Sequence, residues 1–185
     1  MPDLTSEYKS SDSDLCPRAD LVKSEIIQLP TLHLLGLSVR FIAPGSQAAN
    51  HADVIPKLYE RFCLILHTLP LQQDKYIYGA SRRPADMKLR PPDELEYLAA
   101  INVGPGMHPK TPLELWSIPA GTYACFTHRG PVTKIRETIH YAYGTWLPRS
   151  SYVPTGGPNL DRQDERFGYG GNDCEFDFLI PVAPK

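Results

Sequence analysis

The sequence lacks several features that would assign a protein class directly. Its 185 residues contain no apolar run long enough to span a membrane, and the N-terminus is polar rather than a basic segment followed by an apolar one. The formal net charge of −2 gives no indication of a nucleic-acid partner. We therefore expect a cytoplasmic protein that does not enter a membrane and does not bind nucleic acid directly.

The spacing of the cysteines and histidines predicts no metal site. The four cysteines (Cys16, Cys63, Cys125 and Cys174) form no C-x-x-C pair, and the six histidines show no ligand spacing. We interpret the cysteines as reduced thiols and expect no metal or cofactor, haem included. No Ser-His-Asp order and no phosphate-binding glycine loop is present.

Proline and glycine are abundant. Nineteen prolines and thirteen glycines, with 42% hydrophobic residues, indicate a globular protein of short elements joined by defined turns. Residues 1–20 are rich in Ser and Asp and show no periodicity, which predicts a disordered tail. We expect residues 21–185 to form one folded domain.

The folded part repeats one order of elements. Residues 21–104 predict strands at 22–29 and 32–41, a helix capped by Asp53 and ended by Pro70, a strand at 76–81 and a half-buried strand at 94–103. Residues 112–183 predict strands at 113–118 and 123–128, a helix from Pro131 that Pro148 ends, and strands at 160–167 and 174–182. Short sequence echoes occupy matching places, such as Ile101-Asn-Val and Ile180-Pro-Val. We interpret the chain as an internal duplication with an α+β fold.

Two repeated units joined side by side leave a seam, and clefts form at such seams. Tyrosine favours cleft walls, because its ring is apolar and its hydroxyl needs a polar partner. The aromatic candidates for the cleft are Tyr59, Phe62, Tyr78, Tyr97, Tyr143, Trp146 and Phe176.

Several motifs resemble a known family. They are WSIPAGTYACFTHRG at 116–130, YGTWLP at 143–148, GPNLD at 157–161 and the closing IPV at 180–182. Together they resemble the GyrI-like small-molecule-binding domain, which is also the effector-binding domain of multidrug-sensing transcription regulators. The resemblance covers about residues 22–183. It implies two pseudo-symmetric βαββ halves that form one domain with a ligand cleft at their junction.

The resemblance also implies a ligand chemistry. The family cleft takes up hydrophobic, often cationic compounds between aromatic side chains, with a buried carboxylate as counter-charge. The family usually places a Glu shortly after the Gly-Pro and a Tyr two residues later, and this chain has Asp161 and Gln163 there. Asp161 is thus the predicted counter-charge, and we expect the reserve carboxylates Glu96 and Glu165 to face water.

Three functions remain open at this point. The first is a stand-alone module that binds such a compound for sensing or sequestration. The second is a hydrolase of cyclopropane-bearing alkylating compounds, as some relatives are, which would need a pocket carboxylate and a tyrosine; Gln163 cannot transfer a proton and argues against it. The third is a module that inhibits a protein partner. The sequence does not identify the ligand or the oligomeric state.

Overall fold

The computed structural model describes residues 23–43, 46–84, 93–170 and 173–185. The predicted tail at 1–20, with Cys16, lies outside the described residues. In chain order the nine strands within these described ranges are β1 Lys23–Leu29, β2 Leu32–Ile42, β3 Ile77–Arg82, β4 Glu94–Asn102, β5 Glu114–Ile118, β6 Gly121–Arg129, β7 Tyr152–Pro154, β8 Asn159–Gln163 and β9 Glu175–Pro184.

Two α-helical segments accompany the strands in the part of the chain that the structure describes. Helix α1 spans His51–Ile65 and continues as a 3₁₀ turn, Leu66–Thr68. The second segment begins with a 3₁₀ turn, Val132–Lys134, and continues as α2, Ile135–Tyr141. A π-helical turn, Ala142–Trp146, and the short helix α3, Leu147–Arg149, complete it.

All strands except β7 form one antiparallel path in the order β1-β6-β9-β8-β3-β4-β2-β5, and β7 pairs with the end of β9. The first strand of each predicted half therefore pairs within the other half, β1 with β6 and β5 with β2. Only Pro119 and Ala120 separate β5, at one end of the path, from β6, next to the other end. Two residues reach about 11 Å at most, so the sheet must curl until its ends meet.

The curled sheet has two buried faces. The inner face carries one cluster with members on every strand of the path, including Leu34, Tyr78, Leu98, Trp116 and Leu179. The outer face, which we call the helix face, carries α1 over one cluster and α2 over another. This α+β architecture confirms the predicted fold class.

Four local predictions are corrected. Strand β4 was predicted to be half-buried, but Tyr97 and Leu98, which point to opposite faces, are both buried. Helix α1 begins at His51, two residues before Asp53, and the preceding Asn50 accepts a hydrogen bond from the Ile42 N–H (2.7 Å) instead of capping the helix.

The other two corrections lie in the second half. Pro148 does not end the helix, because it falls in the first turn of α3, where no intrahelical N–H bond is required. Strand β8 ends at Gln163, because the Asp164 side chain accepts a hydrogen bond from the Arg166 N–H (3.1 Å) and starts the 3₁₀ turn Glu165–Gly170.

Among the described residues, no helix combines the length and apolar character that crossing a membrane requires.

Candidate ligand-binding site

The two helices cover different strands and leave a gap between them on the helix face, which we call the groove. Helix α1 packs mainly against β2 and β4, and α2 packs against β6. Strands β3 and β8 pair with each other at the centre of the sheet, between the two helix-covered regions. The floor of the groove therefore consists of side chains on the helix face of β3 and β8.

The register identifies the residues of this floor. Residues directly opposite in an antiparallel pair share a face. Gly79 lies opposite Asp161, and Ile77 lies opposite Gln163. Asp161 also lies opposite Phe178 of β9, which packs in the cluster under α2. The predicted counter-charge thus points to the helix face, toward the groove.

A chain of hydrogen bonds ends at the Asp161 carboxylate. The Tyr97 hydroxyl donates to Asp161 Oδ2 (2.7 Å). Since that uses the single Tyr97 proton, the contact between the Tyr59 and Tyr97 hydroxyls (3.2 Å) has Tyr59 as donor. Gln163 Nε2 donates in turn to the Tyr59 hydroxyl (3.0 Å). Three side chains, one each from α1, β4 and β8, are thereby oriented toward one carboxylate.

Gly79 makes this arrangement possible. A Cβ at residue 79 would lie 1.8 Å from the Tyr97 hydroxyl oxygen and 2.9 Å from Asp161 Oδ2. Glycine therefore lets the Tyr97 ring lie across β3 and reach the carboxylate on β8. The Tyr97 ring itself is buried and fills this part of the floor.

The environment destabilises the charge on Asp161. Burial raises the pKa of Asp161 to about 6, and the hydrogen bond from Tyr97 only partly opposes this. Burial, with the nearby Asp161 carboxylate, also raises the pKa of Tyr59 and Tyr97, which keeps both hydroxyls protonated. No basic side chain within the described ranges forms an ion pair with Asp161. Asp177, by contrast, is paired with Arg162 (2.8 Å).

Aromatic and amide groups form the sides of the groove. On the α1 side, Tyr59 is half-buried, with its ring 6.2 Å from that of Tyr97 in an edge arrangement. On the α2 side, Tyr143 and Asn159 are hydrogen-bonded to each other (3.0 and 3.2 Å). Asn159 and Asp161 are partly exposed, so the groove is open to solvent above β8.

The structure brings together four of the eight predicted site residues. Asp161, Tyr59 and Tyr97 are in direct contact, and Tyr143 faces them from the α2 side through Asn159. Phe62 is fully buried beneath α1 and supports the α1 side without reaching the groove surface.

Three predicted residues lie elsewhere. Trp146 packs over Phe126 of β6, with ring centroids 5.2 Å apart, two strands away from β8. Phe176 packs against His128 at the start of β9. Tyr78 points to the inner face, where its hydroxyl donates to Asp74 (3.0 Å). The placement of Tyr78 in the cleft is therefore corrected: β3 is buried on both faces, so its apolar character did not reveal which side faces the groove.

The two reserve carboxylates behave differently. Glu165 is exposed, as expected, and pairs with Lys75 (2.9 Å). Glu96 does not face water: its side chain is only 17% exposed and lies between Arg40 (3.3 Å) and Arg82 (3.0 Å). These ion pairs explain why an alternating strand tolerates a partly buried acid there.

The sequence interpretation missed two residues that shape the site. Gly79 carried a signal, since a glycine inside an apolar strand often marks a close approach of another group. Gln163 was considered only as a replacement for tyrosine; its donor role toward Tyr59 depends on a contact 104 residues away in sequence.

Comparisons with known proteins agree with this architecture. A family model described as the GyrI-like small molecule binding domain matches residues 23–173. The transcriptional regulator BrlR of Pseudomonas aeruginosa is 27% identical over 161 residues, which cover 86% of this chain and 55% of BrlR. The chain therefore spans about half the length of this curated relative.

Solved structures share the fold. SAV2435, solved bound to tetraphenylphosphonium, has a TM-score of 0.64 at 14% identity and covers 87% of this chain and 94% of its own. The C-terminal domain of EcmrR has a TM-score of 0.61 at 17% identity, and the match covers 89% of this chain and 99% of the EcmrR domain. A hydrolase from Listeria innocua has a TM-score of 0.50 at 11% identity, and the match covers 87% of this chain and 92% of the hydrolase. Because the family model matches most of the chain, the protein belongs to the GyrI-like small molecule binding domain family.

Proposed function

We propose that the protein binds a hydrophobic aromatic cation in the groove between α1 and α2, with Asp161 as the counter-charge. The observation that carries this proposal is a carboxylate on the central strand whose hydrogen-bond partner is the Tyr97 hydroxyl and which has no cationic partner among the described side chains. A bound cation would supply the missing charge.

The energetics favour a cation over a neutral compound. A partly buried carboxylate without an opposite charge is costly, and a cation nearby removes much of that cost. Aromatic faces add about 0.5–2 kcal/mol per cation–π contact. Tyr59 and Tyr143, on opposite sides of the groove, are placed to provide such contacts. A neutral ligand of the same shape would gain apolar burial alone.

The comparisons support the proposal without identifying the ligand. SAV2435 was solved with tetraphenylphosphonium, a hydrophobic aromatic cation. BrlR is a transcriptional regulator, and EcmrR was solved in complex with DNA. We infer that ligand binding by this domain serves sensing or sequestration of such compounds.

The test compares a cation with a neutral relative. Isothermal titration calorimetry would measure the binding of tetraphenylphosphonium and of neutral triphenylphosphine oxide at pH 7.5. We expect tetraphenylphosphonium to bind the wild type and the Asp161→Asn variant to bind it at least tenfold more weakly. Triphenylphosphine oxide should bind both proteins alike.

Glu165→Gln is the matched control, because it removes one negative charge from an exposed side chain outside the groove. Its affinity for tetraphenylphosphonium should equal that of the wild type. Equal affinity of Asp161→Asn and wild type for the cation would refute the counter-charge role. If neither tetraphenylphosphonium nor triphenylphosphine oxide bound the wild type, the groove would be refuted as a site for this ligand class.

A second candidate function is hydrolysis. The Asp161 carboxylate, with a pKa of about 6, lies 2.7 Å from the Tyr97 hydroxyl, so a proton acceptor and a proton donor adjoin. For this second function we infer that Tyr97 of β4 takes the role of the tyrosine that Gln163 replaces. Incubation with a reactive cyclopropane substrate, followed by measurement of its loss, separates the two functions. Turnover that Asp161→Asn abolishes supports hydrolysis, whereas recovery of intact substrate supports binding without hydrolysis.

A further inference from the structure

A second concavity lies beside the segment that follows α2. It has a volume of about 350 Å³, which is within the range of small-molecule sites. It is lined by three aromatic residues, by one arginine and by serine and threonine: Tyr141, Trp146, Tyr152, Arg149, Thr145, Ser150 and Ser151.

Ring packing fixes the aromatic wall formed by Tyr141, Trp146 and Tyr152. The Trp146 and Tyr152 rings are nearly parallel, with an interplanar angle of 16° and centroids 6.4 Å apart. Tyr141 and Trp146 both meet Phe126 edge-on, at 6.3 and 5.2 Å. Since Phe126 is fully buried in the sheet, the rings are held by the core, and little ordering is needed when a ligand binds.

Arg149 gives this concavity its charge. It is the last residue of α3 and is exposed, and it forms no ion pair with any side chain that the structure describes. Arg162, by contrast, is held by Asp177 at 2.8 Å. An exposed guanidinium beside aromatic rings can form two parallel hydrogen bonds with a carboxylate while the rings contact the attached ring system.

The concavity is separate from the groove. Tyr143, not Trp146, contacts Asn159 of the groove, and Trp146 packs over β6. Strand β9 lies between β6 and β8, so the Arg149 concavity and Asp161 are on different parts of the helix face. The groove carries a carboxylate and the concavity carries a guanidinium, which select ligands of opposite charge.

We infer that this concavity is a second ligand site, which takes a planar aromatic compound bearing a carboxylate. The aromatic wall binds the ring system of the compound, and Arg149 binds its carboxylate. This site goes beyond the proposed cation binding and does not depend on Asp161.

A pair of probes with one ring system and opposite charges tests this site. Titration of the wild type with 1-naphthoate should quench tryptophan fluorescence, because Trp146 lines the site whereas Trp116 is buried on the inner face. Calorimetry should give the same naphthoate affinity for wild type and Asp161→Asn. Arg149→Gln should bind naphthoate at least tenfold more weakly, and 1-naphthylmethylammonium should not compete with naphthoate.

Arg136→Gln is the matched control, since Arg136 is an exposed arginine of α2 outside the concavity. Its naphthoate affinity should be unchanged. Urea denaturation should show that Arg149→Gln is as stable as the wild type, because Arg149 forms no ion pair among the described residues. Equal naphthoate affinity of Arg149→Gln and wild type would overturn the proposal. So would loss of naphthoate binding in Asp161→Asn, or no naphthoate binding to the wild type at millimolar concentration.

Discussion

Replacing Asp161 by asparagine is expected to stabilise the ligand-free protein at neutral pH. The pKa of Asp161 is raised from 3.8 to about 6, chiefly by burial. One pKa unit corresponds to about 1.4 kcal/mol, so ionisation of Asp161 in the folded protein costs about 3 kcal/mol at most. Since Asp161 is partly exposed, we expect Asp161→Asn to raise the free energy of unfolding by about 1–3 kcal/mol at pH 7.5.

The effect has a defined dependence on pH. The folded protein binds the Asp161 proton more tightly than the unfolded chain does, so unfolding becomes easier as the pH rises through this range. The contribution of Asp161 to stability is complete below about pH 4 and is lost as the pH rises through about 6. The two proteins should therefore have similar stability near pH 4 and differ most above pH 7. Burial lowers the pKa of His128, which acts in the opposite direction, but His128 is present in both proteins and cancels in the difference.

Urea denaturation at several pH values between 4 and 8 measures this difference directly. Glu165→Gln is the control. Pairing with Lys75 lowers the pKa of Glu165, so removing this carboxylate should slightly lower the free energy of unfolding at neutral pH, a change opposite in sign to that of Asp161→Asn. If Asp161→Asn were less stable than the wild type at pH 7.5, or if the difference did not change with pH, the electrostatic account of the groove would be refuted.

Three further outcomes follow from the same contacts. Tyr97→Phe removes the hydrogen bond that lowers the pKa of Asp161, so the pH at which tetraphenylphosphonium binding reaches half its maximum should move above about 6, measured by calorimetry from pH 5 to 8. Gly79→Ala forces the Tyr97 ring away from β3 and should lower the unfolding free energy by about 1–3 kcal/mol in urea denaturation; an unchanged value would contradict the close approach. Cys63 is exposed, whereas burial raises the pKa of Cys125 to about 12, so a thiol reagent such as dithionitrobenzoate should modify Cys63 rapidly and Cys125 only after unfolding.

The local elements of this fold could be predicted because they depend on local patterns. Both helices and most strand positions follow from apolar periodicity and from proline and glycine at the boundaries. The pairing of the first strand of each half with a strand of the other half could not be predicted. The pairing of β1 with β6 joins residues such as Gln28 and Thr122, and no local pattern specifies a partner so far along the chain. The π-helical turn was also missed, because the apolar spacing through Trp146 fits a regular helix equally well.

Part of the candidate site could be predicted from the sequence for the same reason. The orientation of Asp161 followed from its place in the motif, and the pattern of α1 brought Tyr59 to the sheet. Tyr78 was misplaced, because alternation cannot choose a face when both faces of a strand are buried. The hydrogen-bond chain through Gln163 depends on α1 lying beside β8, which is a property of the assembled sheet.

The alternation of side chains along the central strands explains why no arginine of these strands pairs with Asp161. Successive residues of a strand point to opposite faces, so Arg162, next to Asp161, points to the inner face and pairs with Asp177. Arg82 at the end of β3 also lies on the inner face, 3.7 Å above the ring of Trp116 and paired with Glu96. Neither arginine can approach Asp161 without a shift of register that would expose the inner core. The fold thus holds the positive charges of its central strands on one face and an acid on the other, and a cation that enters the groove can pair with Asp161 without breaking an existing ion pair.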